Sequence, residues 1–154
     1  MAASRGPLNY TTTIDSGKTA VECIEILTKH GATHVGLAVG ESRLPDGLEF
    51  VIKTPYGPRA YSLPVNIPGT QRALKKAWQE HKIEPRYAEP TQARRVAWRV
   101  LKDWLEAQLA LIEAGAVDLP QVMLPYMKVD DTHTLYSAWA ENEQRALEAG
   151  RGDG

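Results

Sequence analysis

The sequence predicts an α+β fold with an N-terminal strand and helix, a three-stranded antiparallel meander, and a helical C-terminal half with a long central helix. Apolar and polar residues alternate between residues 33 and 65, which is the period of strands buried on one face. Turn-forming residues at 45–47 and 55–58 divide that region into three strands, and short connections make neighbouring strands antiparallel. From residue 70 onwards the apolar residues recur with helical spacing instead.

Two elements precede the meander. Residues 8–14 carry strand-forming side chains and are predicted to form an edge strand. Ser16 is a residue type that caps helix N-termini, so we expect a helix over residues 17–30, which Gly31 ends.

The helical half begins with a predicted helix over residues 70–82. The central helix is predicted over residues 91–114, and its apolar side chains cover more than half of its circumference. A helix on the surface of a protein shows a narrower apolar stripe of roughly 100°, so the central helix should pack on several neighbours. Residues 119–126 are predicted to form a short helix or an extended cover, and residues 133–148 a final helix.

These elements predict one α+β domain over residues 1–126, a helical extension over 127–148 and a disordered tail over 149–154. The lone Cys23 excludes an internal disulfide framework and fits a reducing compartment. No apolar run approaches the ~20 residues of a membrane span, and the N-terminus lacks the apolar segment of a signal peptide. A cytoplasmic location without membrane attachment is therefore expected.

Motifs for catalysis or cofactor binding are incomplete. Residues 16–19 (Ser-Gly-Lys-Thr) match the end of a phosphate-binding loop, but Thr12 stands where that loop requires glycine. An ordinary capped helix start is the favoured interpretation, which leaves phosphate chemistry near Lys18 as the least favoured function. Asp130, Asp131 and His133 could supply metal ligands, although such clusters before a helix favour capping. The sequence thus predicts no catalytic residue, no metal site and no cofactor.

Charge is distributed unevenly along the chain. Between residues 72 and 103, nine Lys and Arg residues face four acids, whereas between residues 104 and 154 nine acids face three Lys and Arg residues. Arg95, Arg99 and Lys102 share one strip of the central helix near its N-terminal end, where the helix dipole disfavours cations by a few tenths of a kcal/mol. A polyanion partner, or an acidic segment of the same chain, would offset that cost.

We therefore predict a nucleic-acid-binding surface that combines cations for phosphates with aromatic rings for base stacking. Its residues are Lys75, Lys76, Trp78, Tyr87, Arg94, Arg95, Arg99 and Lys102. The alternative interpretation is that the tryptophans pack in the core and the cations form solvated surface pairs.

The first functional hypothesis is a non-enzymatic accessory protein that binds single-stranded nucleic acid or a protein assembled on it. The second is a protein-interaction module, an inhibitor or assembly factor, that docks through the helix at residues 133–148. Both leave self-association open.

Residues 93–109 (Ala-Arg-Arg-Val-Ala-Trp-Arg-Val-Leu-Lys-Asp-Trp-Leu-Glu-Ala-Gln-Leu), together with Leu124-Pro125-Tyr126, resemble small uncharacterised proteins encoded by bacteriophages and prophages. The similarity covers residues 8–126, in the order short strand, meander, long helix and Leu-Pro-Tyr. It brings no catalytic residues to this chain. It implies an accessory role in DNA replication, recombination or the interplay with host defence.

Overall fold

The computed structural model describes residues 6–152 of the chain and has mixed helix and sheet architecture. The α-helices and strands follow in this order: α1 (Ser16–Lys29), β1 (Ala32–Val39), β2 (Pro45–Thr54), β3 (Gly57–Pro64), α2 (Ile67–Gln79), α3 (Pro90–Glu113), α4 (Leu119–Met123) and α5 (Leu135–Gly152). Short 3-10 turns at Pro85–Ala88 and Leu124–Tyr126 precede α3 and follow α4. Within the described residues, none of the helices combines the length and the apolarity that crossing a bilayer requires.

The sheet is antiparallel with the strand order β1-β2-β3, so the predicted meander is confirmed. Strands β2 and β3 pair without interruption to Thr54 and Gly57, which close a tight hairpin loop of Pro55 and Tyr56. Gly57 has φ +104°, a conformation that glycine adopts without steric cost. Pairing between β1 and β2 is irregular near His34, whose φ is +52°.

The turn predicted at residues 45–47 is wrong, because these residues begin β2 and the connection from β1 lies at residues 40–44. Proline is tolerated as the first residue of a strand, where its missing N–H is not needed. The Pro45 carbonyl is also held from outside the sheet, since it accepts a hydrogen bond from Trp98 Nε1 of α3 at 3.2 Å.

One face of the sheet is covered by helices. Leu48, Phe50 and Ile52 of β2 are buried, whereas Glu49 between them and Lys53 after them are exposed. The buried side chains join residues of α1, α3 and α4 in the main core, and a smaller core lies between α2 and α3. Helix α3 contributes to both cores, which confirms the prediction of a central helix with several neighbours.

Residues 8–14 do not form the predicted edge strand but a series of turns. Asn9 has φ +63°, which extended backbone does not allow. The side chain of Gln92 in α3 donates to the carbonyls of Tyr10 at 2.8 Å and Thr12 at 2.9 Å. The polar backbone of this segment is therefore partly satisfied by a helix side chain.

Helix ends are close to those predicted, and their caps explain the differences. Asp15 rather than Ser16 caps α1, because its carboxylate accepts from the backbone N–H of Gly17 at 3.0 Å. Helix α2 begins at Ile67, ahead of the predicted position, with Asn66 as its cap. Gly31 and Gly115 follow the C-terminal ends of α1 and α3 with φ of +97° and +76°, as αL residues at helix ends do.

The C-terminal segment is attached to the sheet before it becomes helical. The Lys128 N–H donates to the Ala60 carbonyl of β3 at 2.8 Å, and Met127 forms a β-bridge with Tyr61. Helix α5 then continues to Gly152, so residues 149–152 are helical where the sequence predicted a disordered tail. Alanine, leucine, glutamate and arginine, which favour helices, dominate residues 145–149 and carry the helix onward. Residues 153–154 of the predicted tail lie outside the described residues.

Candidate interaction surfaces

The cations predicted to bind nucleic acid lie in different environments on α2 and α3. On α3, the Glu22 carboxylate of α1 accepts from Lys102 Nζ at 2.9 Å and from Arg99 Nη1 at 3.2 Å. Lys102 also pairs with Glu106 at 2.9 Å. The hydrogen bond from Lys102 is the largest cause that lowers the pKa of Glu22. An acidic residue of the same chain therefore offsets part of the strip's positive charge.

Arg94 and Arg95 are half-buried and act inside the molecule. Arg94 Nη1 donates to the Pro45 carbonyl at 3.1 Å, the same oxygen that Trp98 binds. Arg95 Nη1 donates to Gln92 Oε1 at 3.4 Å, and Arg95 Nε is buried without a partner among the described residues. Both side chains thus brace the start of α3, and their contact with phosphates stays a prediction.

The two predicted stacking residues differ in accessibility. Tyr87 is half-buried, with its ring edge-to-face against Tyr10 at 5.3 Å between centroids and with the Arg86 guanidinium 4.7 Å from its centre. Trp78 on α2 is 44% exposed. Of the two rings, Trp78 is the one more open to a base.

Helix α2 presents a basic face to solvent. Lys75 and Lys76 are exposed and form no ion pair within residues 6–152. Arg72, which was not in the predicted set, is also exposed and lies on the same side, because residues three and four apart are neighbours on a helix. The spacing of three and four residues from Arg72 to Lys75 and Lys76 is visible in the sequence and could have placed Arg72 in the predicted set. We call Arg72, Lys75, Lys76 and Trp78 the α2 face.

Helix α5 carries the largest exposed apolar side chains of the C-terminal segment, and none of its residues is buried. Tyr136, Trp139 and Leu147 are 59%, 57% and 67% exposed. At about 100° per residue, seven residues fall within an arc of roughly 120°. We call these residues the α5 stripe: Tyr136, Trp139, Ala140, Glu143, Ala146, Leu147 and Gly150. From residue 141 to residue 152 every position is exposed.

The apolar surface continues from α5 onto the 3-10 turn and towards the sheet. Leu124 and Pro125 line a shallow cavity of about 380 Å³ together with Leu135, Tyr136 and Trp139. Leu124 also borders a second cavity, of about 510 Å³, which reaches the hairpin loop at Tyr56. Sequence reasoning missed Tyr56, since a tyrosine in a Pro-Gly turn carries no signal of its neighbours.

The segment before α5 is held by hydrogen bonds, and Asp130 and His133, for which the sequence favoured capping over metal binding, take part in them. The Asp130 carboxylate accepts from the backbone N–H groups of Thr132 at 2.8 Å and His133 at 2.7 Å, which helps to lower its pKa to about 2. Thr134 and Ser137 exchange hydrogen bonds across the first turn of α5. In the described part of the chain, no group of three His, Cys, Asp or Glu side chains is arranged to hold a metal ion.

His133 joins this segment to α5 through two carboxylates. Its Nε2 lies 3.0 Å from Glu141 and its Nδ1 lies 3.1 Å from Asp130, while Arg145 approaches Glu141 at 3.6 Å. Hydrogen bonding to Glu141 is the largest cause that raises the pKa of His133 above 6.5, followed by hydrogen bonding to Asp130. The attraction of protonated His133 for Asp130 and Glu141 is therefore fully present below pH 6.5. It weakens as the pH rises through the raised pKa of His133 in the folded protein.

We expect a protease to cut residues 127–134 faster at pH 8 than at pH 6, because the neutral imidazole loses part of its attraction for both carboxylates. The measurement is the cleavage rate of wild type divided by that of His133→Asn at each pH, since this ratio removes the protease's own pH dependence. The ratio should rise with pH. An unchanged ratio would show that His133 does not control this attachment.

The start of α1 is capped by an acidic side chain. The Asp15 carboxylate binds the Gly17 N–H, so a negative charge already occupies the helix N-terminus. Thr19 is buried, and its hydroxyl donates to the Asp15 carbonyl at 3.4 Å. Cys23, one turn further on, is also buried, and burial is the largest cause that raises the pKa of its thiol to about 12. The capped helix start favoured by the sequence is therefore what the structure contains.

The resemblance to phage-encoded proteins remains a prediction, since neither the fold nor these surfaces test it. The α5 stripe and the α2 face are both accessible to a partner. Comparison with protein-family models, curated proteins and solved structures found no match to this chain.

Proposed function

We propose that this chain is a non-enzymatic protein-interaction module, an inhibitor or assembly factor, that docks through the α5 stripe and the adjoining Leu124 and Pro125. The observation that carries the proposal is that every residue of α5 from 141 to 152 is exposed, beyond an aromatic pair at Tyr136 and Trp139. Contiguous exposed apolar surface marks interaction sites, and Tyr and Trp supply much of the binding energy at interfaces.

The length of α5 supports the same proposal. Its 18 residues extend about 27 Å at 1.5 Å per residue, while its contacts with the domain are concentrated near the 3-10 turn at Leu124–Tyr126. Helices shorter than ~12–15 residues are only marginally stable in water without packing. The outer half of α5 would therefore gain stability from a partner that covers its stripe.

A photo-cross-linking amino acid placed at position 147 or at position 145 tests this function in living cells. Leu147 lies on the α5 stripe, whereas Arg145 lies on the opposite side of the helix and is the matched control. We expect one discrete adduct from position 147, located on a defined partner peptide, which disappears when Trp139→Ala is added. Equal labelling from both positions, or no adduct from position 147, would contradict the proposal.

A second candidate function, binding of single-stranded nucleic acid, is favoured by one observation. The α2 face offers three exposed cations beside an exposed indole ring, and within residues 6–152 none of those cations forms an ion pair, although Glu80 lies one turn from Lys76. Phosphate contacts combined with base stacking are how single strands are commonly held.

Titration of a labelled single-stranded DNA oligomer across a salt series tests this candidate. We expect Lys75→Ala/Lys76→Ala to weaken binding and to reduce the salt dependence by roughly 1.4 log units per log unit of salt, as expected for two lost phosphate contacts on a single strand. Arg99→Ala/Lys102→Ala should have a smaller effect, because Glu22 already partners both side chains. Absence of binding at low salt would eliminate this candidate.

A further inference from the structure

The α5 stripe defines the chemistry of its partner. It combines two exposed aromatic rings, Tyr136 and Trp139, with a single carboxylate at its middle, Glu143. Glu141 and Arg145 lie on the opposite side of the helix, whereas Glu148 and Arg151 flank the stripe and line a shallow cavity with Trp139 and Leu147. Cations are attracted both to the faces of aromatic rings and to a carboxylate. A matching surface would therefore present several cations beside an apolar group.

The α2 face has that composition. Arg72, Lys75 and Lys76 point away from the buried side of α2, where Leu74 and Ala77 pack. Trp78 adds a partly exposed indole at the edge of the same surface. Long cationic side chains also cover apolar surface with their stems, so the face can contact rings as well as charges.

The charges on the two helices agree with this match. Helix α2 contains three cations and no acid, a formal charge of +3, and Glu80 follows directly at its C-terminal end. Helix α5 contains three glutamates and two arginines, a formal charge of −1. Opposite potentials on two surfaces steer them together and discourage other partners.

We propose that the α5 stripe of one copy docks on the α2 face of a second copy of this chain. This inference rests on the proposed function, because it names the partner of the same α5 surface. Two different surfaces meet in such a contact, so every copy keeps one free α2 face and one free α5 stripe. Association is then head-to-tail and either closes into a ring or continues.

Pairing of α5 with α5 about a two-fold axis is the competing arrangement. Glu143 is the midpoint of the stripe from Tyr136 to Gly150, so an antiparallel pair centred there would bring two carboxylates together. Like charges facing each other at an interface are unfavourable. The head-to-tail contact avoids this repulsion.

Sedimentation velocity over a concentration series tests the inference with two variants that each remove one surface. Trp139→Ala damages the α5 stripe and leaves the α2 face intact, while Lys75→Glu/Lys76→Glu does the reverse. We expect the wild type to form assemblies larger than a dimer. Each variant alone should associate more weakly than the wild type by roughly tenfold or more. An equimolar mixture of the two should form a one-to-one dimer and nothing larger, because each dimer retains only damaged surfaces. Arg145→Ala, on the opposite side of α5, should behave as wild type.

Two results would overturn the inference. A wild type that stays monomeric throughout the series would show that copies of this chain do not dock on each other. Association of Lys75→Glu/Lys76→Glu that equals the wild type would show that the α2 face is not the binding surface. In either case a discrete adduct from position 147 would still support the proposed function, whereas the absence of that adduct would remove both.

Discussion

Replacing Trp98 by alanine is expected to lower the free energy of unfolding by about 3–5 kcal/mol, the range for large aromatic side chains removed from a core. Trp98 is 1% exposed and is among the largest fully buried side chains of the described chain. Its Nε1 also donates to the Pro45 carbonyl, which joins α3 to the start of β2. The substitution therefore removes packing from the core and also removes one of the hydrogen bonds that hold the start of β2.

Urea denaturation followed by circular dichroism measures this loss. Trp78→Ala is the control, because Trp78 is 44% exposed and its truncation should cost much less than that of Trp98. Trp98→Phe should fall between them, since phenylalanine fills part of the space but cannot donate the hydrogen bond. Equal losses for Trp98→Ala and Trp78→Ala would contradict the buried position of Trp98.

Replacing Glu22 by glutamine is expected to lower the free energy of unfolding by about 1–2 kcal/mol, because the substitution removes the charge that Arg99 and Lys102 share. All three side chains are less than one third exposed, so solvent compensates only partly for the lost carboxylate. The hydrogen bond from Lys102 contributes most to lowering the pKa of Glu22 below 4.5. Its stabilising contribution is present above pH 4.5 and is lost as the pH falls through the lower folded-state value.

Unfolding measured at pH 7 and at several values below pH 4.5 distinguishes this mechanism from a general effect of substitution on α1. The difference between wild type and Glu22→Gln should be largest at pH 7 and should shrink in acid. Glu25→Gln is the matched control, because Glu25 lies on the same helix and is exposed. A difference that persists unchanged in acid would contradict the ion-pair explanation.

The parts of the fold that could be predicted are those in which the pattern repeats over many residues. Alternation from Leu48 to Ile52 identified β2, and the wide apolar arc of α3 identified the central helix. Glycines that require positive φ marked the ends of α1 and α3. In each case neighbours in the sequence determine the local structure, so distant residues were not needed.

The errors arose where distant residues decide the local structure. The segment 8–14 has strand-forming residues, yet Gln92, which is 82 positions from Tyr10, binds its carbonyls. The turn predicted at residues 45–47 is part of β2, whose first residue is fixed by Trp98 from 53 positions away. The local sequence pattern therefore cannot predict either contact.

The candidate site likewise has features that the local sequence predicts and features that depend on distant residues. The excess of cations between residues 72 and 103 could be read from the sequence, as could the amphipathic helix that became α5. The partner of Arg99 could not, because Glu22 is 77 residues away and meets it only after α1 packs on α3. The structure therefore favours the α2 face and the α5 stripe over the cations of α3 as contact surfaces for a partner.

Amide hydrogen exchange measured by mass spectrometry at low and high protein concentration tests most directly whether α5 is a contact surface between copies of this chain. The amides of residues 141–152 should exchange rapidly in dilute solution, because every residue there is exposed and His133 contacts only Glu141 at the start of this stretch. At high concentration, exchange should slow in residues 141–152 and in α2 together, while α3 is unchanged. Identical exchange at both concentrations would contradict the claim.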